Sequence, residues 1–228
     1  LHNPFLAQRD DGARLPPVTG PLVLATDAHV VSPLFFPGGD IGSLAVNGTI
    51  NDVAVMGAQP LYLTASFVLE EGFALADLVR IVQSMGQAAR AADVPIVTGD
   101  TKVVERGKAD GVFISTTGLG VVLAGVNVGG AHAQAGDAVL LSGPLGLHGM
   151  AIMAVREGLR FETTICSDVA PLWGVVEALL DAGIEIHCLR DLTRGGLASA
   201  LNEIAKTANV RIAIDEKSIP VRDDVNGA

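Results

Sequence analysis

Four acids in this chain stand where a carboxylate can do chemistry. Asp27 follows the apolar run Leu22-Val23-Leu24-Ala25, and Asp100 follows Pro95-Ile96-Val97 in TGDTK. Asp191 follows the run from Ile184 to Leu189 in RDLTRGG, and Asp52 lies in NDVAVMGA, inside an otherwise apolar stretch. Three of the four thus sit where a buried strand is expected to emerge into a loop, the place where α/β proteins hold ligands. A lone carboxylate on an apolar helix, as at Asp52, is costly. Converging carboxylates repel, and a divalent cation is the usual means of holding them together. Magnesium takes hard oxygen ligands and commonly shares them with nucleotide phosphates. Taken singly, each acid also reads as a helix cap, an Asx turn or a solvent-facing residue.

Lys102 follows Asp100 by two residues, so in an extended segment the two face the same side. The pair could neutralise a phosphate, or form a surface ion pair. Thr193-Arg194-Gly195-Gly196 lies between an expected strand and an expected helix. Glycines there let the backbone approach an anion, and the helix N-terminus offers unpaired N–H groups; a plain tight turn is the alternative. Gly143, Gly146 and Gly149 only loosely imitate a dinucleotide fingerprint, and no Walker A sequence is present. Ser142 is not in a nucleophile elbow. The histidines show no i, i+4 pair, and His29, two residues past Asp27, is the one with the strongest claim to a role. Cys166 and Cys188 have no metal-ligand spacing and read as free thiols.

These residues need a scaffold. Of 228 residues, 49% are hydrophobic and 18% charged. That is enough apolar content for a sizeable core in one or two domains. A formal net charge of -10 argues against binding nucleic acid through its phosphates. The two long stretches without charged residues, 53–69 and 111–136, are broken by Gly, Pro and polar residues, so neither reads as a membrane span. No secretory signal precedes the apolar segments, and a cytoplasmic protein is expected. Periodicity predicts strands at 22–25, 61–69, 95–100, 112–124, 138–141, 184–189 and 210–214. It predicts helices over 41–56, 74–92, 146–157, 171–182 and 195–208. Alternating strands and helices give the α/β class, with a domain boundary near 130.

The segments TDAHVVSPLFFPGGDIGSLAVNGTINDVAVMGAQP, VTGDTKVV and RDLTRGGLASALNEIA, with the ending DEKSIPVRDDVNGA, resemble the hydrogenase maturation protein HypE family. The resemblance runs from about Leu22 to Ala228. The wider superfamily includes aminoimidazole ribonucleotide synthetase (PurM), selenophosphate synthetase and thiamine-monophosphate kinase. It implies a PurM-like two-domain α/β (α+β) architecture. The N-terminal, strand-rich domain, 1–130, binds ATP and Mg²⁺ and pairs into a homodimer; the C-terminal α/β domain, 131–228, is incomplete. It further implies ATP-dependent dehydration of a protein-bound S-carbamoyl cysteine to a thiocyanate, the source of cyanide ligands for [NiFe] hydrogenase.

On this resemblance Asp27, Asp52, Asp100 and Asp191 match acidic positions around Mg²⁺ and the ATP phosphates. Lys102, with Asp100, matches a position for phosphate contact or proton handling. Thr98, Gly99, Thr101, Thr193, Gly195 and Gly196 fall in nucleotide-binding segments, and Asp40 and Asn51 match more loosely. The implied partners are a HypF-like carbamoyltransferase and a HypC–HypD-like scaffold, with neither nucleic acid nor membrane. The family's N-terminal glycine-rich segment and its cysteine-bearing C-terminal tail are not within these residues, so turnover by this stretch alone is not expected. Two other readings stand beside this one: another superfamily enzyme with a different phosphoryl acceptor, and a non-catalytic scaffold that docks maturation partners.

Overall fold

The computed structural model describes residues 3–8, 10–159 and 164–227. The first half runs α1 (Pro4–Ala7), β1 (Leu22–His29), the short β2 (Phe35–Phe36) and β3 (Gly39–Asp40), then α2 (Ile41–Ala54). It continues with β4 (Ala58–Glu70), α3 (Leu75–Ala91), β5 (Ile96–Val104) and β6 (Val112–Val122). The four long strands form one sheet in the order β1-β6-β4-β5. β4 and β5 run parallel, as a crossover through α3 requires, and the other pairs are antiparallel.

Burial alternates along β1, with Val23, Ala25, Asp27 and His29 turned inward and Leu22, Leu24, Thr26 and Ala28 turned out. The inward face packs under α2 and α3. Ile41, Val46, Ile50, Leu63, Ile81, Met85, Val112 and Ile114 are fully or almost fully buried in that layer. The outward face is open, and Leu24 on it is 71% exposed.

The strands predicted at 22–25 and 95–100 run further than expected. β1 continues to His29 and β5 to Val104, so Asp27 and Asp100 lie inside strands rather than at their ends. Cross-strand hydrogen bonding carries these polar residues, because β1 and β5 are both edge strands with one side open to solvent.

The second half contains α4 (Leu147–Arg156), α5 (Trp173–Asp181), α6 (Gly196–Ala208) and the short α7 (Asp223–Asn226). The strands expected at 138–141, 184–189 and 210–214 do not form. Among the described residues these segments have no ladder partner, and the second half has a single isolated bridge, Leu145 with Val221. The expected buried strand at 138–141 is instead exposed, with Leu140 at 86%. An extended segment becomes a strand only when a neighbour satisfies its backbone groups.

Candidate functional site

α2 positions the central acid. Its Asp40 cap accepts from the Gly42 and Ser43 backbone N–H groups at 2.7 and 3.0 Å, and Ser43 Oγ sits 3.0 Å from the Asp40 N–H in return. This capping box fixes where the helix starts. Thr49 and Asp52 then fall three residues apart on one face, over β1. Thr49 Oγ1 donates to Asp27 Oδ2 at 2.8 Å, and the Asp52 side chain hydrogen-bonds Asp27 as well.

Asp191 reaches the same place from the second half, where its side chain hydrogen-bonds Asp52. Burial, followed by the negative charges of Asp27 and Asp191, pushes Asp52 up to about 7. Burial also raises Asp191, although the hydrogen bond from Asp52 opposes the shift. A raised carboxyl is the expected response of acids crowded together and partly buried.

Asp27, Asp52 and Asp191 thus converge as the sequence suggested, through Asp52 as common member. Asp52 and Asp191 line a cavity of about 430 Å³ together with Ala25, Gly129, Cys188 and Thr193. Among the described residues no group of three or more His, Cys, Asp or Glu is arranged as a ready metal cage. The donor set, oxygen only and shared in pairs, fits magnesium, which takes one or two carboxylates and completes its shell with phosphates and water.

Asp100 does not join them. Asp27 aligns with Thr116, Ala65 and Gly99 across the sheet, whereas Asp100 aligns with Ser66, Ser115 and Ala28 on the opposite face. β6 and β4 lie between β1 and β5, so the width of the sheet also separates the two acids. Lys102 shares the face of Asp100 and pairs with it at 3.1 Å, with side chains 72% and 61% exposed. The Lys102 hydrogen bond, helped by the Thr101 N–H, holds Asp100 below the usual carboxylate range. Thr98 also stands on this open face, at the end of a row formed by Thr26, Thr117 and Thr64. Gly99 is needed for a different reason: a Cβ there would lie 1.9 Å from the Ala65 carbonyl oxygen of β4.

Two looser assignments acquire other roles. Asp40 caps the far end of α2 from Asp52, so most of the helix length separates the two side chains. Asn51 spans the two halves of the chain, its Nδ2 donating to the Ala170 carbonyl at 3.0 Å and its Oδ1 accepting from the Leu172 N–H at 2.8 Å. With both ends of the amide engaged, Asn51 ties α2 to the backbone just before α5. Thr193 and Gly195 precede α6 and Gly196 opens it, with Gly195 and Gly196 at φ +73 and +57. These left-handed conformations suit glycine and turn the chain sharply between Asp191 and the helix. Arg194 is exposed, 4.0 Å from Glu203.

The reading of types and spacing missed Thr49 and Thr116. Thr116 Oγ1 lies 2.6 Å from Thr49 Oγ1 and 3.0 Å from His29 Nε2, and it donates to the Ala45 carbonyl at 3.1 Å. Both threonines are fully or almost fully buried. Burial lowers His29, with Asp27 opposing.

Comparison with known proteins identifies the family. The model of AIR synthase related protein, N-terminal domain, matches residues 9–122, and that of the corresponding C-terminal domain matches 134–226. The chain is 60% identical over 228 residues to "Carbamoyl dehydratase HypE" of Azotobacter vinelandii, covering 100% of this chain and 67% of that protein. It superposes at TM-score 0.96 and 52% identity on a crystal structure of hydrogenase maturation protein HypE in complex with ATP, covering 99% of this chain and 67% of that one. A crystal structure of a HypE–HypF complex is similar at TM-score 0.89 and 52% identity, covering 99% and 73%. The chain therefore spans about two thirds of the length of its relatives.

Proposed function

The chain belongs to the AIR synthase related protein family and, within it, to the carbamoyl dehydratase HypE group, and from that premise we propose that it is the ATP-dependent dehydratase module of hydrogenase maturation. The observation that carries the reading is the convergence of the Asp27, Asp52 and Asp191 side chains from β1, α2 and the second half of the chain, with Asp52 and Asp191 lining one cavity. A protein whose only task was docking has no need to pay for such crowding.

The substrate is a carbamoyl group on a cysteine sulfur. Its oxygen is a poor leaving group until phosphorylated. The carbamoyl oxygen attacks the γ-phosphorus of ATP, an O–P bond forms and ADP leaves. The nitrogen then gives up its two protons as the C–O bond breaks and phosphate departs, leaving a C≡N group on sulfur. Such transfers depend on charge neutralisation and alignment more than on covalent help from the protein. Asp27, Asp52 and Asp191 would hold magnesium, and the ion would supply positive charge to screen the phosphates. Thr193, Gly195 and Gly196 present backbone N–H groups at the start of α6. That a close relative was crystallised with ATP supports the nucleotide.

Asp100 and Lys102 stand on the open face of the sheet, away from the acid cluster. They serve the same nucleotide only where another surface is brought to them. The exposed Leu22 and Leu24 on that face favour pairing with a second copy of the chain. In that arrangement Asp100 and Lys102 lie between copies, where Lys102 contacts the transferred phosphoryl group. The HypE–HypF complex of a relative supports a HypF-like carbamoyltransferase as donor of the substrate group, and a HypC–HypD-like scaffold then receives the product. No helix among the described residues is long and apolar enough to cross a membrane, which suits cytoplasmic work.

The test is turnover of an S-carbamoylated cysteine peptide with Mg·ATP. We expect phosphate release matched by loss of one water's mass from the peptide, both abolished in Asp52→Ala. Turnover untouched by that substitution contradicts the proposal.

A further inference from the structure

Beneath the acid cluster lies a chain of polar side chains that the reaction scheme leaves unused. It begins at His29 on β1, passes to Thr116 on β6, then to Thr49 on α2, and ends at Asp27, back on β1. Thr49 is 0% and Thr116 1% exposed, in a layer that is otherwise almost wholly apolar. Buried hydroxyls carry a cost unless their hydrogen bonds are made, so their presence needs a reason.

The protons can be assigned by counting. Each threonine hydroxyl has one proton. The Thr49 proton goes to Asp27 Oδ2 at 2.8 Å. The contact of 2.6 Å between Thr49 and Thr116 must then use the Thr116 proton, with the Ala45 carbonyl at 3.1 Å as a secondary acceptor. Thr116 Oγ1, having given its proton, accepts from His29 Nε2 at 3.0 Å. The series thus leads to Asp27 through Thr49, with the single Thr116 proton shared between Thr49 Oγ1 and the Ala45 carbonyl.

Resting on the proposed magnesium site, we infer that Thr49, held in orientation by Thr116, is a positioning residue that fixes the Asp27 carboxylate for the metal. Thr49 engages one Asp27 oxygen and leaves the other oxygen and the remaining lone pairs for Asp52 and a cation. Without that hydroxyl the Asp27 side chain is free to rotate about its Cβ–Cγ bond, since terminal carboxyl torsions are soft. Partners that orient metal-ligating carboxylates in this way change metal affinity by about 10- to 100-fold when removed. α2 supplies Thr49 and Asp52 from a single turn, so one helix both carries a ligand and aims another.

Calorimetric binding of Mg²⁺ with a non-hydrolysable ATP analogue to the full-length protein tests the idea. Thr49→Val keeps the shape and removes the hydroxyl; Thr49→Ser keeps the hydroxyl; Thr116→Val cuts the series one link further away. Thr49→Val should weaken binding by about tenfold or more, Thr116→Val by less, and Thr49→Ser should restore it. In turnover the Thr49→Val loss should appear in KM for Mg·ATP more than in kcat. Wild-type affinity in a folded Thr49→Val protein, alongside lost binding in Asp27→Asn, overturns the inference and leaves the metal site standing. If Asp27→Asn also binds normally, the metal reading falls and the inference falls with it. Should Thr49→Val not fold, Thr116→Val and Thr49→Ser decide: equal affinity in both overturns the inference.

Discussion

Asp52 and Asp191 come from opposite halves of the chain, yet their side chains hydrogen-bond each other. Neither acid reaches the other by local folding. Asn51 ties α2 to the backbone at Ala170 and Leu172, just ahead of α5, and the Asp52–Asp191 contact sets the site's response to pH and to metal.

The crowding at Asp52 costs the metal-free fold stability. With its value raised from 3.8 to about 7, Asp52 in the folded protein keeps a proton that the unfolded chain has already lost. Stability of the metal-free protein therefore falls as pH rises from about 4 to about 7, and stays low above that. Asp52→Asn should raise the melting temperature at pH 8 by roughly 2–4 °C, discounting for a half-exposed group, while abolishing Mg·nucleotide binding. Thermal scans with and without Mg²⁺ check both halves of the expectation.

The same proton must leave when magnesium binds. Mg·ATP binding should release protons below about pH 7 and release fewer at pH 8, with affinity rising across that range. Calorimetry in two buffers of different ionisation enthalpy measures the release. Identical enthalpies in both buffers at pH 6 refute it.

Asn51→Leu removes both hydrogen bonds that join α2 to the backbone at Ala170 and Leu172. Chemical denaturation should show a loss of about 1–3 kcal/mol. Mg·ATP affinity should fall as well, since the helix that carries Asp52 is no longer tied to the second half of the chain. A purely nucleotide-contacting Asn51 predicts lost affinity at unchanged stability.

Asp40→Ala offers the converse. A helix cap of this kind is worth about 1 kcal/mol, and its loss should leave Mg·ATP affinity unchanged. A large fall in affinity with no change in stability returns Asp40 to the nucleotide site.

The sequence made three of the acids legible because Asp27, Asp52 and Asp191 each interrupt apolar runs, where charge is costly. It did not reveal that Asp100 faces away, because which face a strand residue takes depends on register with β4. Nor did it reveal Thr49 and Thr116: a threonine in a helix or strand has no signature until its hydroxyl is found buried. The Asp40 cap was readable, since Asp precedes the helix and Ser43 follows three residues later. Helices were placed well by their spacing, within a few residues at each end. The segments at 138–141, 184–189 and 210–214 look like strands by composition, but a strand is defined by its neighbour, and composition does not supply one.

The most direct measurement is a crystal structure of the full-length protein with magnesium and a non-hydrolysable ATP analogue. The account predicts a metal ion about 2.1 Å from carboxylate oxygens of Asp27, Asp52 or Asp191 and from phosphate oxygens of the nucleotide, with the hydrogen bonds among those acids broken. A triphosphate bound elsewhere, with Asp52 still sharing its proton with Asp27 and Asp191, contradicts it.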